Sequence, residues 1–396
     1  MLHSTRPGAP RLSVQVRRLA ELDSLDLSRW RDLAERALDP NPFQEPEFIL
    51  PLASGLVDAE PLRVLTVSRG DGGEWLAAGV FQECAPSLTR PLPHLRALSS
   101  AYSFLDQPLI DREQADAAME AAFDYLSAQR NWHGFRVRTQ RADGRQTALL
   151  DVIACARGVA RFVDRVWNRP VLELDGLDPD SVLERCSKSR RKSLQRSRRW
   201  LSEQGRLEYR LVVPGADDVE PIEDFLRLEA LGWKGKRGTA LATRPADELF
   251  FREMTRGFAA RGRLLMGELR LDGRVIASTC NLRAGRVAYA FKIGWDPEWS
   301  KGNPGHWSEL DLISAIRREH PDIEVLDSCA SEGSYTASLY GTTRPMSSAV
   351  YVWSRRAIAL SLAREQIQRL KQRTLASTPA EAATVAAVGM DSGETE

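Results

Sequence analysis

The chain has 396 residues, with 55 Lys and Arg against 54 Asp and Glu and a formal net charge of +1. Hydrophobic residues make up 43% and charged residues 28%, enough apolar material for more than one core. At roughly 150 residues per domain this predicts two domains and a tail, and the near-neutral total excludes a chain that is basic throughout, such as a general nucleic-acid coat.

No stretch approaches the ~18–20 apolar residues of a membrane span, and MLHSTRPGAPRLSVQVRR carries charge without the apolar run of a secretory signal. Cys84, Cys155, Cys186, Cys280 and Cys329 are scattered, with no Cys or His pair at metal-ligand spacing. A reducing, cytoplasmic setting and no metal are expected.

In chain order, Leu25, Leu27, Trp30, Leu33 and Leu38 predict a helix over 24–38, and NPFQEPEF (41–48) reads as a Pro-punctuated loop. Leu62–Ser68 and Trp75–Glu83 flank Arg69-Gly-Asp-Gly-Gly as a hairpin. A helix is expected over 113–129 and a strand over 134–140. The same grammar recurs later: a hairpin of 264–271 and 274–282 around Asp272-Gly273, a strand over 287–294, a loop, a helix over 305–318 and a strand over 323–328. A duplicated α/β unit accounts for this economically, with units 1–165 and 166–355, a helix over 356–376 and a disordered tail over 377–396.

Charge is unevenly placed. Residues 185–210 hold ten basic and two acidic residues, a local charge of +8, so the rest of the chain carries −7. The helix there is expected to start at Asp180 or Ser181 and end at Gly205. Arg190 falls on its thin apolar stripe with Leu183, Leu194 and Leu201. An inward guanidinium needs a partner, either a protein carboxylate or a ligand phosphate or carboxylate. The segment also permits phosphate contacts with nucleic acid, but Trp200 and Tyr209 are its only aromatics and no recognition-helix pattern surrounds it.

Three further segments draw attention. After Glu229, the glycine-rich ALGWKGKRGT places Trp233 beside Lys234, Lys236 and Arg237 in a cationic loop that does not fit a phosphate-loop motif. In FKIGWDPEWSKGNPGHW a strand carrying Lys292 ends at Asp296, and Asn303-Pro304-Gly305 opens a helix whose free N–H groups form an anion site. Asp327-Ser328-Cys329 ends a strand close to Ser334-Tyr335 and puts carboxylate, thiol and phenol near one sheet mouth. No Cys-His or Ser-His-Asp set is evident.

The order of ALDPNPFQEPEF, AYSFLDQPLID, SKSRRKSLQRSRRWLSEQG, EALGWKGKRGTAL, FKIGWD with its NPG turn, and LDSCA resembles the GNAT acyltransferase superfamily over residues 20–355. The resemblance is to the branch with tandem units, which includes CelD-like proteins of cellulose and exopolysaccharide biosynthesis and is related to Fem-type aminoacyl transferases. It implies an α/β (α+β) fold of two GNAT-like units, each a mixed, mostly antiparallel twisted sheet flanked by helices. The usual acyl-CoA turn of the superfamily, Arg/Gln-x-x-Gly-x-Gly/Ala, is replaced here by KGNPGHW, a near match to the Ser-Pro-Gly of this branch. An aromatic-Lys pair of the Fem pattern is replaced by Tyr335-Thr336.

The resemblance implies N- or O-acyl transfer from acetyl-CoA or another acyl-CoA to an amine or hydroxyl of a sugar, polysaccharide or envelope precursor. Asn303, Pro304 and Gly305 would hold the pyrophosphate, with Lys292 or the basic helix on the remaining phosphates. Arg190, Arg191, Trp233, Lys234 and Asp296 would contact substrate, Asp327 or Glu229 would take the acceptor proton, and Tyr335 would protonate the leaving thiolate. The first unit, without a Pro-Gly turn, is expected to be scaffold or acceptor platform. The alternatives are a Fem-type aminoacyl-tRNA-dependent transferase, with RNA as partner, and a non-catalytic GNAT pair that binds an anion.

Overall fold

The structure, a computed structural model, describes residues 12–57, 62–87, 90–232, 235 and 237–376. The first half contributes β1 (Leu12–Arg18), α1 (Ser24–Glu35), α2 (Pro46–Gly55), β2 (Leu62–Arg69), β3 (Trp75–Cys84), β4 (His94–Ala97), β5 (Leu109–Ile110), α3 (Ala115–Ala128), β6 (Gly134–Arg141), α4 (Arg145–Ala156) and β7 (Ala160–Glu173). The second contributes α5 (Lys188–Gln204), β8 (Leu207–Val212), α6 (Glu220–Leu231), α7 (Pro245–Ala259), β9 (Leu264–Leu271), β10 (Arg274–Ala284), β11 (Val287–Trp295), α8 (Pro304–Glu319), β12 (Val325–Asp327), α9 (Tyr335–Tyr340), β13 (Thr342–Val352) and α10 (Arg355–Ala376).

Local chemistry accounts for the clearest elements. Asp23 and Asp26 exchange side-chain and backbone bonds at the start of α1, a reciprocal cap that satisfies two orphan donors. Asp272 and Gly273 have φ of 48° and 83°, the two positive values a tight β9–β10 turn requires. NPFQEPEF is not a plain loop: it forms a turn over Pro42–Gln44 and opens α2 with Pro46 in the first helical position. The basic helix also departs from expectation. A separate 3-10 turn covers Pro179–Arg185, and Ser187 caps α5 by accepting from the Arg190 N–H at 3.2 Å.

Among the described residues thirteen strands join one mixed sheet in the order β1-β2-β3-β4-β6-β13-β7-β12-β11-β10-β9-β8, with β5 on β3. Each half lays down four antiparallel strands and a fifth parallel to the fourth, β6 on β4 and β12 on β11. The last strand of each half then crosses over. β7 pairs with β12, β13 pairs with β6, and the two run antiparallel to each other at the centre. Residue 165, where the sequence suggested a boundary, lies inside the unbroken strand β7. The tail over 377–396 lies outside the described residues.

The halves also share a core. Trp30, Phe43, Phe48 and Leu52 of the first pack with Phe225, Phe250, Phe251, Tyr289 and Phe291 of the second. Glu45 and Arg263 cross the same boundary as a buried bidentate pair at 2.5 and 2.6 Å, the arrangement that makes a buried charge tolerable. α3 and α4 cover one face of the first half and α8 one face of the second. Among the described residues no helix is long and apolar enough to cross a membrane.

Candidate active site

β11 and β12 pair only from Val287–Val325 to Tyr289–Asp327. Beyond that point β12 ends, while β11 continues to Trp295. At the same place the β10–β11 register slips: Asn281 faces Ala290 and Cys280 faces Lys292, leaving Phe291 as the extra residue of a bulge. The sheet therefore opens where β11 bends, and the released backbone edge of β11 faces the gap. A cavity of about 240 Å3 occupies it, lined by Asn281, Phe291, Lys292, Glu309, Cys329 and Tyr335 with six neighbours.

Its polar groups are firmly placed. Asn281 donates from Nδ2 to the Leu265 carbonyl and to Thr279 Oγ1, both at 3.2 Å, while its buried Oδ1 has no partner among the described residues. Glu309 is buried on α8 and accepts from the Tyr340 hydroxyl. Burial pushes its carboxyl above the usual range, and the Tyr340 bond opposes that rise. Neither Glu309 nor Asn281 was expected from the sequence; nothing but its place one helical turn after Pro304-Gly305 marks Glu309.

The structure brings Lys292 and Glu229 together at 3.6 Å, although they are far apart in sequence. Glu229 is buried on α6 and also accepts from the Leu241 N–H at 2.7 Å. Lys292 lies 5.1 Å from the centre of the Tyr102 ring, a cation–π contact. Asp327 does not line the cavity. Its carboxylate accepts from the Cys329 N–H at 2.9 Å and faces buried Arg169 at 3.6 Å, so it shapes the turn in which Cys329 takes a φ of 53°. Burial and the Asp327 charge push the Cys329 thiol well up, which keeps it protonated and a poor nucleophile.

Arg190 is exposed, not buried as its place on the stripe suggested, because the core below α5 begins at Leu194. Its guanidinium donates to Nε2 of His306 at 2.5 Å, and the His306 ring lies 4.8 Å from that of Tyr335. The start of α5, the start of α8 and Tyr335 thus converge, with His306 as the link. Asn303 adopts a left-handed conformation before Pro304, and the N–H groups of Gly305 and His306 have no acceptor among the described residues. Arg191 is half-buried without an ion pair among them. Asp296, expected to contact substrate, is buried, caps the turn over Pro297–Gly302 and pairs with Arg274 at 2.7 Å. Trp233 and Lys234 lie outside the described residues.

In the first half the corresponding gap is filled. β4 pairs with β6 only at Leu95–Phe135 and Arg96–Arg136. Beyond it, Asp106 donates its N–H to Thr139, Gln107 accepts from the Arg141 N–H at 3.0 Å, and β5 docks on β3. The same segment then reaches into the second half. Tyr102 stacks on Phe250 at 5.2 Å and Phe104 packs edge-on against Phe291 at 6.1 Å, so the first half supplies a wall of the open cleft.

Residues 188–335 match the family described as acetyltransferase (GNAT) domain, and no curated protein matches the sequence. The structure is similar to that of FemX, with a TM-score of 0.54 and 12% identity over 85% of this chain and 98% of that one. It is similar to a conserved protein of unknown function from Bacteroides thetaiotaomicron, with a TM-score of 0.51 and 11% identity over 82% of this chain and 97% of that one. A tandem GNAT protein from the clavulanic acid biosynthesis pathway superimposes more loosely, at a TM-score of 0.40 and 15% identity over 86% and 98% of the two chains. At these identities the likeness to the solved structures is one of fold, a large mixed sheet flanked by helices, and the acetyltransferase (GNAT) match covers residues 188–335 within it.

Proposed function

We propose that this chain is an acyltransferase that moves an acyl group from acetyl-CoA or another acyl-CoA to an amine or hydroxyl. The observation that carries the reading is the parting of β11 and β12 at Tyr289–Asp327, with the Phe291 bulge, into a cavity beside the start of α8. The acceptor class, a sugar, polysaccharide or envelope precursor, rests on the sequence resemblance.

The donor set suits a CoA pyrophosphate: the N–H groups of Gly305 and His306 at a helix start, with Arg190 and Arg191 in the first turn of α5. A CoA thioester supplies a carbonyl carbon open to attack and a thiolate leaving group. The released edge of β11 offers backbone donors to the carbonyl oxygen. Glu309, raised in pKa by burial and lining the cavity, takes the acceptor proton. Tyr335 lines the same cavity and gives its phenolic proton to the leaving sulfur. His306, held neutral by burial first and by the Arg190 charge second, orients the Tyr335 ring. Asp327 and Glu229, engaged with Arg169 and Lys292, position the walls.

A donor carried on RNA is the second reading. Lys188, Lys192, Arg196 and Arg199 form an exposed face of α5 opposite buried Leu194, Ser197 and Leu201, which suits a phosphate backbone. Thermal-shift titrations with acetyl-CoA and with bulk tRNA separate the two. Stabilisation by acetyl-CoA, with CoA release that Tyr335→Phe abolishes, supports the first reading. Stabilisation by tRNA alone supports the second, and no response to either removes both.

A further inference from the structure

On the opposite side of the central seam, three guanidiniums converge on one carboxylate. Asp164 lies in β7, whose pairing with β13 runs Arg165–Ser348 and then Val163–Ala349. Asp164 is therefore the extra residue of a bulge, a device that re-aims a side chain. Arg90 reaches its two oxygens at 2.8 and 3.1 Å, Arg136 of β6 at 3.1 Å, and Arg364 of α10 at 3.6 Å. Asp164 is 18% exposed and Arg90 14%, so this cluster of net charge +2 is only partly hydrated.

The cluster has donors to spare. Each guanidinium offers five N–H groups in a fixed fork, and the roughly four lone-pair sites of one carboxylate cannot accept from all of those donors. The Arg136 Nε is buried with no partner among the described residues. Arg96 adds a further positive charge across the β4–β6 pair, and His94 is held towards its neutral form by burial first and then by the charges of Arg90, Arg136 and Arg96. Two of the three guanidiniums, Arg90 and Arg364, line a cavity of about 40 Å3 together with Leu92, His94, His133 and Leu360. At the ~10–15 Å3 a water needs, this has room for more than one small polar group. α10 covers it through a small apolar cluster of Val350, Val352 and Ala357.

We propose that Arg90, Arg136 and Arg364 form a phosphate-binding site, distinct from the cleft at β11–β12. The phosphate group satisfies the spare guanidinium donors bidentately and neutralises a charge excess that Asp164 alone does not. Leu92 and Leu360 beside it receive an apolar portion of a phosphate-bearing ligand.

The test is a thermal melt of the full chain in inorganic phosphate against sodium chloride at matched ionic strength. Phosphate is expected to raise the Tm by ~2 °C or more, and Arg364→Gln, on α10 at the rim of the cavity, to remove most of that shift. Asp164→Asn is expected to lower the Tm without phosphate yet enlarge the phosphate response, because it deletes the competing carboxylate. A purely structural ion cluster would give only the first effect. Arg157→Gln, which breaks a surface pair with Asp124 elsewhere, is the control and keeps the full shift. Co-sedimentation with phosphatidylglycerol vesicles but not phosphatidylcholine vesicles, competed by phosphate, identifies a lipid headgroup as the source; a phosphate shift without vesicle binding identifies a soluble phosphate. Equal melts in phosphate and chloride, or an undiminished shift in Arg364→Gln, overturn the proposal.

Discussion

The guanidinium of Arg190 donates to Nε2 of His306 at 2.5 Å, so that nitrogen must be the unprotonated one. Burial first, and the Arg190 charge second, push His306 from 6.5 down to about 4. Between those values the unfolded chain binds a proton that the folded chain does not, so stability falls as pH drops from about 6.5 towards 4. Replacing His306 with Gln is expected to flatten the fall in that window, measured as urea midpoints across pH. Arg190→Gln is expected to move the His306 titration upward, read from the imidazole proton resonances. An unchanged titration would mean that the two groups do not meet.

Glu309 gives a kinetic prediction with a defined sign. As the acceptor's base it must be ionised, so the rate falls on the acid side of its pKa. The Tyr340 hydrogen bond holds that pKa down against burial. Tyr340→Phe is therefore expected to shift the acid limb of the kcat/KM profile to higher pH. Glu309→Gln is expected to cost about 10²-fold or more in turnover at every pH. A Glu309→Gln enzyme with normal turnover would remove the carboxylate from the reaction.

Tyr102 connects the halves chemically. Its ring lies over Lys292 and stacks on Phe250; burial first, and then the Asp247 carboxylate to which its hydroxyl bonds, raise its pKa. Tyr102→Phe keeps the ring and is expected to leave acetyl-CoA stabilisation and turnover within a few-fold of the parent. Tyr102→Ala removes the wall and the cation–π contact, worth roughly 0.5–2 kcal/mol. It is expected to lower turnover about tenfold while acetyl-CoA stabilisation persists. Parallel loss in both variants would place the effect on the hydroxyl instead.

How far the sequence reaches can be judged from these residues. The hairpin over 264–284, the Asn303-Pro304-Gly305 helix start and the grouping of Tyr335 with Cys329 were legible because each rests on local signals: alternation, turn glycines and proline at a first helical position. The exchange of β7 and β13 was not. Strand patterns report burial but not partner, and β13 sits some two hundred residues from β6 in sequence. Arg190 was placed on the right helical face, yet the stripe says nothing about where the core beneath it stops. The Tyr102 wall was hidden for a related reason: a loop of one half meeting the cleft of the other leaves no periodicity. β1 and α4, short and weakly patterned, were also missed.

Gly294 tests how tightly the cleft is seated. A Cβ there would stand 2.7 Å from the Glu229 nitrogen and 3.1 Å from the Leu228 carbonyl carbon. Both are backbone atoms of α6, so the strain cannot be relieved by a side-chain rotation. α6 would have to move off β11, and with it Glu229, which pairs with Lys292 at the cavity wall. Gly294→Ala is expected to destabilise the chain by ~1–3 kcal/mol, seen as a lower urea midpoint at unchanged m, and to weaken acetyl-CoA stabilisation as well. Gly333→Ala, where a Cβ meets nothing within 4 Å, is the matched control and should stay within ~0.5 kcal/mol of the parent. If Gly294→Ala lowers stability but leaves acetyl-CoA binding intact, α6 braces the sheet without shaping the donor side of the cleft, and the Glu229–Lys292 pair belongs to the acceptor side alone.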